Sequence, residues 1–118
     1  MKVHEMIQPL ALVACSGQQG LDREVSGGYT SDLLSDVMGH AREGQVWITI
    51  QAHRNVIAIA SLKEIAAVIL VRGRRPDEET ASASDQEGIP VFSTPLDAFE
   101  ASGILHGLLN AATTPGEG

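Results

Sequence analysis

Short apolar runs alternate with helical segments along most of this chain, and this alternation constrains its fold more than any other feature. Three runs have the length and composition of buried strands, namely QVWITIQ at 45–51, AAVILV at 66–71 and IPVFST at 89–94. Each run precedes a segment with helix-forming signals, and these segments span 55–65, 76–87 and 95–111. The pattern predicts an α/β fold with right-handed crossovers and a mainly parallel sheet that carries helices on both faces.

The first third of the chain adds weaker strand signals and two helices. We predict a short helix at 3–8, a strand at 10–14 and an amphipathic helix at 32–42. The glycine-rich segment between the strand and the second helix predicts a loop with at most one short strand, near Glu24 to Gly28. The sheet is therefore expected to contain about four to five strands.

The segment 55–65 is ambiguous between strand and helix. Val56, Ile57 and Ile59 favour a strand because they are β-branched. Asn55 is a good N-cap, however, and the alanine, leucine, lysine and glutamate residues that follow favour a helix. We predict a helix capped by Asn55.

The segment TSDLLSDVM at 30–38 raises the question of a catalytic carboxylate pair, because Ser-Asp recurs there at a spacing of four. Two ionised carboxylates four apart on a helix repel each other slightly, and no flanking base accompanies them. We predict instead that Thr30 or Ser31 caps a helix, with Asp32 in or beside its first turn. Ser35 and Asp36 are then expected to face solvent. The apolar side chains expected to face inward are Leu33, Leu34, Val37 and Met38.

Composition bounds the class of protein. The chain has 118 residues, 43% hydrophobic and 19% charged, which suits one globular domain; we assign 1–111 to it and 112–118 to a flexible tail. A formal charge of −7 disfavours binding to nucleic acid and to anionic membrane surfaces. Because the sequence has neither a signal-peptide pattern nor an apolar run of about 18 residues, we predict a cytoplasmic protein.

The residue types in the sequence give little indication of a metal site or a disulfide. The single cysteine, Cys15, excludes an intrachain disulfide and every multi-cysteine metal motif, and we expect a buried, inert thiol. Asp36 and His40 lie four apart on one helical face, but two ligands are too few for a metal site. We predict no metal and no cofactor.

Three stretches of the chain resemble a stand-alone DRTGG domain. They are LDREVSGGYTSDLLSDVM at 21–38, the segment 44–79 and EGIPVFSTPLDAFE at 87–100. Asp22-Arg23 and Gly27-Gly28 correspond to letters of the family name, with Ser26 where threonine is usual.

The resemblance implies an α/β accessory domain, similar to the N-terminal, non-catalytic domain of HPr kinases and more distantly to the uridine-nucleotide-binding N-terminal domain of Mur ligases. It also implies a regulatory role, because members are often attached to CBS or other regulatory domains. Small members occur beside iron-hydrogenase and signalling-kinase genes, which suggests a redox or signalling-kinase protein as partner. The chain contains no P-loop string, so kinase chemistry is not carried over.

One candidate ligand site follows the strand at 45–51. Gln51, His53, Arg54 and Asn55 stand where open α/β sheets place their ligands, and in the Mur-ligase-like comparison this loop is close to the nucleotide. The alternatives are an exposed connection and a dimer contact.

Two further groups of residues are candidates. Arg72 and Arg74 follow the strand at 66–71 and could hold a phosphate or carboxylate, unless the acids that follow at 77–79 neutralise them. Asp22 and Arg23 could contact a ligand or fix a loop by hydrogen bonds. We interpret the glycine pairs at 17–20 and 27–28 as turns, which glycine's conformational freedom explains without a ligand; a ligand loop is the less favoured alternative.

These observations predict a non-enzymatic regulatory or adaptor domain that forms a homodimer and senses a small anionic metabolite or a nucleotide. One alternative is a small enzyme that acts on a phosphorylated or carboxylate substrate through the 51–55 loop. Another is a purely structural protein-interaction domain with no ligand.

Overall fold

A computed structural model describes residues 1–113 of the chain. The strands are β1 (Val13–Ser16), β2 (Gly27–Thr30), β3 (Gln45–Thr49), β4 (Ala67–Leu70) and β5 (Val91–Ser93). The α-helices are α1 (Leu34–His40), α2 (Arg54–Leu62), α3 (Glu78–Glu87) and α4 (Ala98–Thr113). Two short 3-10 helices cover Val3–Met6 and Gln18–Gly20.

The strands form one sheet in the order β1-β5-β4-β3-β2. Pairing is parallel from β2 through β5, whereas β1 runs antiparallel to β5 at one edge. The predicted α/β fold with a mainly parallel sheet is therefore confirmed. The antiparallel edge strand is a feature that the sequence pattern did not predict.

Side chains alternate along the central strands between two hydrophobic clusters. Val46 and Ile48 of β3 point into one cluster with Phe92 of β5, while Trp47 points into the other. The first cluster also contains side chains of α4 and of the N-terminal 3-10 helix, and the second contains side chains of α1, α2 and α3. Because β2 to β5 follow one another in a single direction across the sheet, right-handed crossovers place α1 to α3 on the same face. Helices thus cover both faces of the sheet, as predicted.

The N-terminal segment departs from the sequence prediction. The helix expected at 3–8 is a single 3-10 turn, and the strand expected at 10–14 begins three residues later, at Val13. Ala11 has a φ of 53°, a left-handed conformation that ends any regular element there. Leu10 and Leu12 are buried, so their hydrophobicity reflects a packed turn. The short strand expected near Glu24 to Gly28 is β2, which begins at Gly27.

Helix α1 begins later than predicted and has no side-chain cap. The prediction that Thr30 or Ser31 caps it is wrong, because Leu33 occupies the N-cap position and no side chain makes a capping bond there. Asp32 lies beside the first turn, one of the two positions predicted for it, and its carboxylate bonds to Thr49 and to the backbone of Ile50. The predicted inward face is also partly wrong. Leu33 precedes the helix and is 63% exposed, and Met38 is 40% exposed.

The other helices follow the sequence signals more closely. The helix predicted at 55–65 is α2, which begins one residue earlier and ends at Leu62. His53 occupies its N-cap position, so Asn55 lies inside the first turn and is not the cap. Helix α3 begins at Glu78, is capped by the Asp77 carboxylate and ends at Gly88, whose φ is 68°.

Helix α4 starts at Ala98, because a capping box of Asp97 and Glu100 sets its first turn, and it continues to Thr113. It therefore includes the first two residues of the tail predicted at 112–118, and 114–118 lie outside the described residues. Within residues 1–113, no helix has the length and apolar character needed to cross a bilayer.

Candidate functional site

The predicted ligand residues lie at two opposite edges of the sheet. Asp22 and Arg23 lie at the edge formed by the amino ends of the parallel strands, since the Arg23 guanidinium donates to the carbonyl of Ile65, just before β4. The remaining predicted residues follow the carboxyl ends of β3 and β4. These are Gln51, His53, Arg54, Asn55, Arg72 and Arg74. The fold therefore does not bring the two groups together.

At the amino edge, Arg23 fixes a loop. Its Nη1 atom donates to the Ile65 carbonyl oxygen at 3.2 Å. The Asp22 side chain is 93% exposed and approaches His4, with 3.8 Å between Oδ1 and Nε2. Of the two roles left open by the sequence, this geometry favours the loop-fixing one for Arg23.

The glycines near this edge allow close packing. A Cβ atom on Gly28 would lie 2.9 Å from Cδ2 of Leu105, so the glycine lets α4 approach β2. Gly17 has a φ of 69° and its amide donates to the Asp85 carboxylate at 2.7 Å. Packing and turn geometry account for both positions without a ligand.

A cavity of about 500 Å³ opens at the amino edge. Arg23 is its single basic residue, and four acidic residues surround it: Glu24, Glu43, Glu64 and Glu87. This balance of charge disfavours an anionic ligand at the amino edge.

At the carboxyl edge, Asp32 joins the ends of β2 and β3. Its Oδ1 atom accepts hydrogen bonds from the Thr49 hydroxyl and the Ile50 amide, both at 2.9 Å. The Gln51 side-chain amide donates to the Asp32 carbonyl at 3.1 Å. Asp32 and Gln51 therefore hold the backbone of this edge together, a role that the sequence reasoning did not predict for Asp32. The available signal was the polar Thr49, which follows three apolar residues at the end of β3.

The loop after β3 packs against the start of α3. The Thr80 hydroxyl donates to the Ala52 carbonyl at 3.0 Å, and Arg54 Nη1 lies 3.3 Å from Glu79 Oε2. Both side chains of this ion pair are about two-thirds exposed, at 67% and 70%, so the pair contributes at most about 1 kcal/mol. The His53 side chain is exposed and makes no capping bond.

Arg72 and Gly73 form a tight turn after β4. Their φ values of 57° and 72°, with the Arg74 amide donating to the Val71 carbonyl at 3.1 Å, define a type I′ turn. The Arg72 amide donates to the Leu96 carbonyl at 2.8 Å, which ties the turn to the chain beyond β5. The backbone that presents the two arginines is therefore fixed at both ends.

The side chains of Arg72 and Arg74 are exposed and have no ion-pair partner among residues 1–113. Of the nearby acids, Glu79 pairs with Arg54, and Asp77 accepts from the Thr80 amide at 2.8 Å. This backbone bond is the main cause of the lowered pKa of Asp77. The expected local neutralisation of the two arginines is therefore not seen.

A cavity of about 460 Å³ lies beside this turn. Arg72 and Gly73 line it together with Pro95, Asp97 and Glu100. The two carboxylates face the first turn of α4, where Asp97 accepts from the Glu100 amide at 2.8 Å and Glu100 from the Asp97 amide at 3.4 Å. Their charge partly offsets that of Arg72.

Two other titratable positions are structural. The Tyr29 hydroxyl donates to the Asp36 carboxylate at 2.7 Å and is the main cause of the lowered pKa of Asp36. His40 Nδ1 lies 3.3 Å from the same carboxylate. The Asp36 side chain, which was expected to face solvent, is half-buried. Among residues 1–113, no three His, Cys, Asp or Glu side chains are grouped to hold a metal ion.

Cys15 is only partly buried, which corrects the expected buried thiol. It lies at an irregularity in the pairing of β1 with β5, and the Arg75 guanidinium is 4.0 Å from its sulfur. Partial burial raises the pKa of the thiol, and Arg75 opposes this effect. The net shift favours the protonated, less reactive form.

Comparison with known proteins identifies the class to which this fold belongs. The sequence model of the DRTGG domain matches residues 11–108, so the chain is a member of the DRTGG domain family. No curated protein matches the sequence.

A solved structure shares the fold. It contains the CBS and DRTGG domains of the regulatory region of Clostridium perfringens pyrophosphatase, in complex with the activator diadenosine tetraphosphate. The TM-score is 0.72 and the sequence identity 18%, over 88% of this chain and 45% of that one. This chain therefore spans less than half of the pyrophosphatase regulatory region.

Proposed function

We propose that this DRTGG domain is a non-enzymatic regulatory module that binds a small anionic metabolite or a nucleotide at the carboxyl edge of its sheet and acts as a homodimer. The observation that carries the proposal concerns Arg72 and Arg74, which lie on a fixed turn. Neither arginine forms an ion pair within residues 1–113, although the chain has a formal charge of −7. In such a chain, acidic side chains are available to neutralise most cations, so an arginine left unpaired beside a cavity, as Arg72 is, is a candidate to hold a ligand anion.

The chemistry of arginine fits this role. A guanidinium group binds phosphate and carboxylate oxygens through two parallel hydrogen bonds, and its charge persists at any physiological pH. Because the turn at Arg72 is already ordered, binding would not have to order the backbone. Gln51, His53, Arg54 and Asn55 border the same edge and would contact the remainder of the ligand.

The solved structure with the same fold is a reason to test nucleotides as ligands of this chain. The regulatory region of Clostridium perfringens pyrophosphatase was solved with a dinucleotide activator. The two structures share a fold, and we propose that this chain also shares a regulatory role with that region. A redox or signalling-kinase partner belongs to the same proposal and rests on the family resemblance. The cytoplasmic location is carried over from the sequence prediction.

Thermal unfolding with a nucleotide panel tests the ligand part of the proposal. Adenosine and uridine mono-, di- and triphosphates and diadenosine tetraphosphate would be titrated against the protein while the unfolding midpoint is followed. A ligand present at 100 times its dissociation constant stabilises the native state by about 2.7 kcal/mol, so a specific ligand gives a clear, saturable rise.

Charge-matched variants locate the effect. Arg72→Gln and Arg74→Gln should each abolish most of the rise. Arg42→Gln removes the same charge from an exposed position that precedes β3 at the amino edge, and it should leave the rise intact. A flat panel for the wild-type protein, or an equal loss in all three variants, would count against the proposed site.

A further inference from the structure

The outer face of α4 is a stripe of small and apolar residues. Phe99 is 87% exposed, and Gly103 and Gly107 follow it at intervals of four, which places all three on one side of the helix. A Cβ atom added at either glycine would meet nothing within 4 Å. Nothing in the described chain therefore requires glycine at these positions, although glycine is among the least favourable residues inside a helix.

Charge is scarce on the same helix. The 16 residues of α4 include one acid, Glu100, one histidine, His106, and no lysine or arginine. The chain as a whole carries a formal charge of −7, so two copies repel each other overall. The outer face of α4 is a surface where that repulsion is weak.

We propose that α4 pairs with α4 of a second copy of this chain, antiparallel, about a two-fold axis that passes beside Gly103. In a symmetric antiparallel pair centred on residue 103, opposite residues have numbers that sum to 206. Phe99 then lies opposite Gly107 of the second copy, and Glu100 lies opposite His106 of the second copy. Each of these contacts occurs twice, once on either side of the axis.

The chemistry of the opposed residues is complementary. The ring of Phe99 enters the space left by the missing side chain at Gly107, and the two copies of Gly103 let the helices approach closely at the axis. Glu100 accepts one hydrogen bond from the Asp97 amide, and His106 Nδ1 contacts the Asn110 amide at 3.3 Å. Each side chain has a second polar atom, through which a carboxylate-to-imidazole bond would form between the copies.

The small size of the face limits the strength of the dimer. A helix of 16 residues is about 24 Å long, so a single helix pair buries far less than the roughly 800 Å² per partner that is typical of stable complexes. We therefore expect a reversible dimer whose fraction rises with protein concentration. This inference rests on the homodimer in the proposed function and specifies its surface.

Sedimentation velocity over a range of protein concentrations tests the surface. The wild-type protein should shift from monomer to dimer as its concentration increases. Gly103→Leu fills the point of closest approach, and Phe99→Ser removes the apolar side chain, so each should weaken association at least tenfold. Both positions are exposed, and circular dichroism should confirm that the variants fold.

Matched controls come from other helices. A Cβ atom added at Gly39 in α1 would likewise meet nothing within 4 Å, and Leu62 in α2 is 67% exposed. Gly39→Leu and Leu62→Ser place comparable changes away from α4, so each should dimerise like the wild-type protein.

A cross-link tests the register directly. Gly103→Cys in a Cys15→Ser background should form an intermolecular disulfide when oxidised glutathione accepts the electrons of the two thiols, because the axis brings the two copies of residue 103 together. Gly39→Cys in the same background should form far less.

The outcomes separate the surface from the proposed function. A wild-type protein that stays monomeric at every concentration overturns both this surface and the homodimer. A dimer that persists in Gly103→Leu and Phe99→Ser, or the absence of the cross-link at 103, overturns the surface and leaves the homodimer standing.

Discussion

At the scale of single residues, many polar side chains of this domain bond to its own backbone. Arg23 donates to the Ile65 carbonyl, Asp32 accepts from the Ile50 amide, and Gln51 donates to the Asp32 carbonyl. Each satisfies a polar group near a strand end, where the sheet ladder no longer does so. Arg72 differs because its guanidinium makes no ion pair within residues 1–113, which is why the proposed ligand is placed beside it.

Two adjacent glycines should respond differently to the same substitution. In Gly28→Ala the new Cβ would lie 2.9 Å from the buried Leu105, whereas in Gly27→Ala it would lie 3.6 Å from Gln45, an ordinary contact. We expect Gly28→Ala to lower the free energy of unfolding by about 1–3 kcal/mol through overpacking and Gly27→Ala to change it little. Urea unfolding of the two variants measures the difference, and equal stability would contradict the packing role of Gly28.

The bond from Tyr29 to Asp36 should make stability depend on pH. Because Tyr29 lowers the pKa of Asp36, the ionised carboxylate stabilises the native state above the ordinary aspartate pKa, and this stabilisation is lost as the pH falls through the lowered value. Tyr29→Phe should therefore be less stable than the wild-type protein at neutral pH, and the two should converge in acid.

Unfolding midpoints in urea from neutral pH to below the ordinary aspartate pKa check this expectation. Ser35→Ala, a change at a neighbouring exposed position, is the control. A stability difference for Tyr29→Phe that is the same at every pH would show that Asp36 is not the cause.

At the scale of elements, the helices differ in how their first turns are satisfied. Aspartates cap α3 and α4, whereas the residues before α1 and α2 make no side-chain capping bond. Both aspartates carry a sequence signature, since a polar or acidic residue follows three positions later. The uncapped α1 and α2 start directly after loops that are held by Asp32 and Thr80, so their positions depend on contacts distant in sequence.

The capping box of α4 gives a prediction at this scale. Asp97→Ala removes the acceptor for the Glu100 amide and should cost about 1 kcal/mol of stability. Asp22→Ala, at a side chain that is 93% exposed, should stay within about 0.5 kcal/mol of the wild-type protein. Thermal or urea unfolding distinguishes the two, and equal losses would argue against a specific role of the cap.

At the scale of the whole molecule, one sheet couples two hydrophobic clusters. Trp47 lies in the cluster beneath α1 to α3, and Leu105 lies in the cluster beneath α4, both almost fully buried. The strands between them supply side chains to both clusters, so neither cluster can lose its packing without exposing the other. The domain is therefore expected to unfold in one cooperative step.

Leu105→Ala tests this coupling. We expect it to lower the free energy of unfolding by about 2–5 kcal/mol and to shift the Trp47 fluorescence transition and the circular dichroism transition by the same amount. A fluorescence transition left at its wild-type position would show that the two faces of the sheet unfold independently.

The sequence by itself determined the order and type of most elements, the parallel character of the sheet and its family. Hydrophobic periodicity and turn residues are local properties, so QVWITIQ, AAVILV and IPVFST could be recognised as strands without knowledge of their neighbours. Tertiary structure decided the antiparallel placement of β1, the exposure of Leu33 and the separation of Arg23 from the loop at 51–55. It also decided which charges are paired: Glu79 pairs with Arg54 across 25 positions of sequence, which leaves Arg72 for the proposed ligand. Such pairings depend on distances that only the folded chain creates, and no local pattern encodes them.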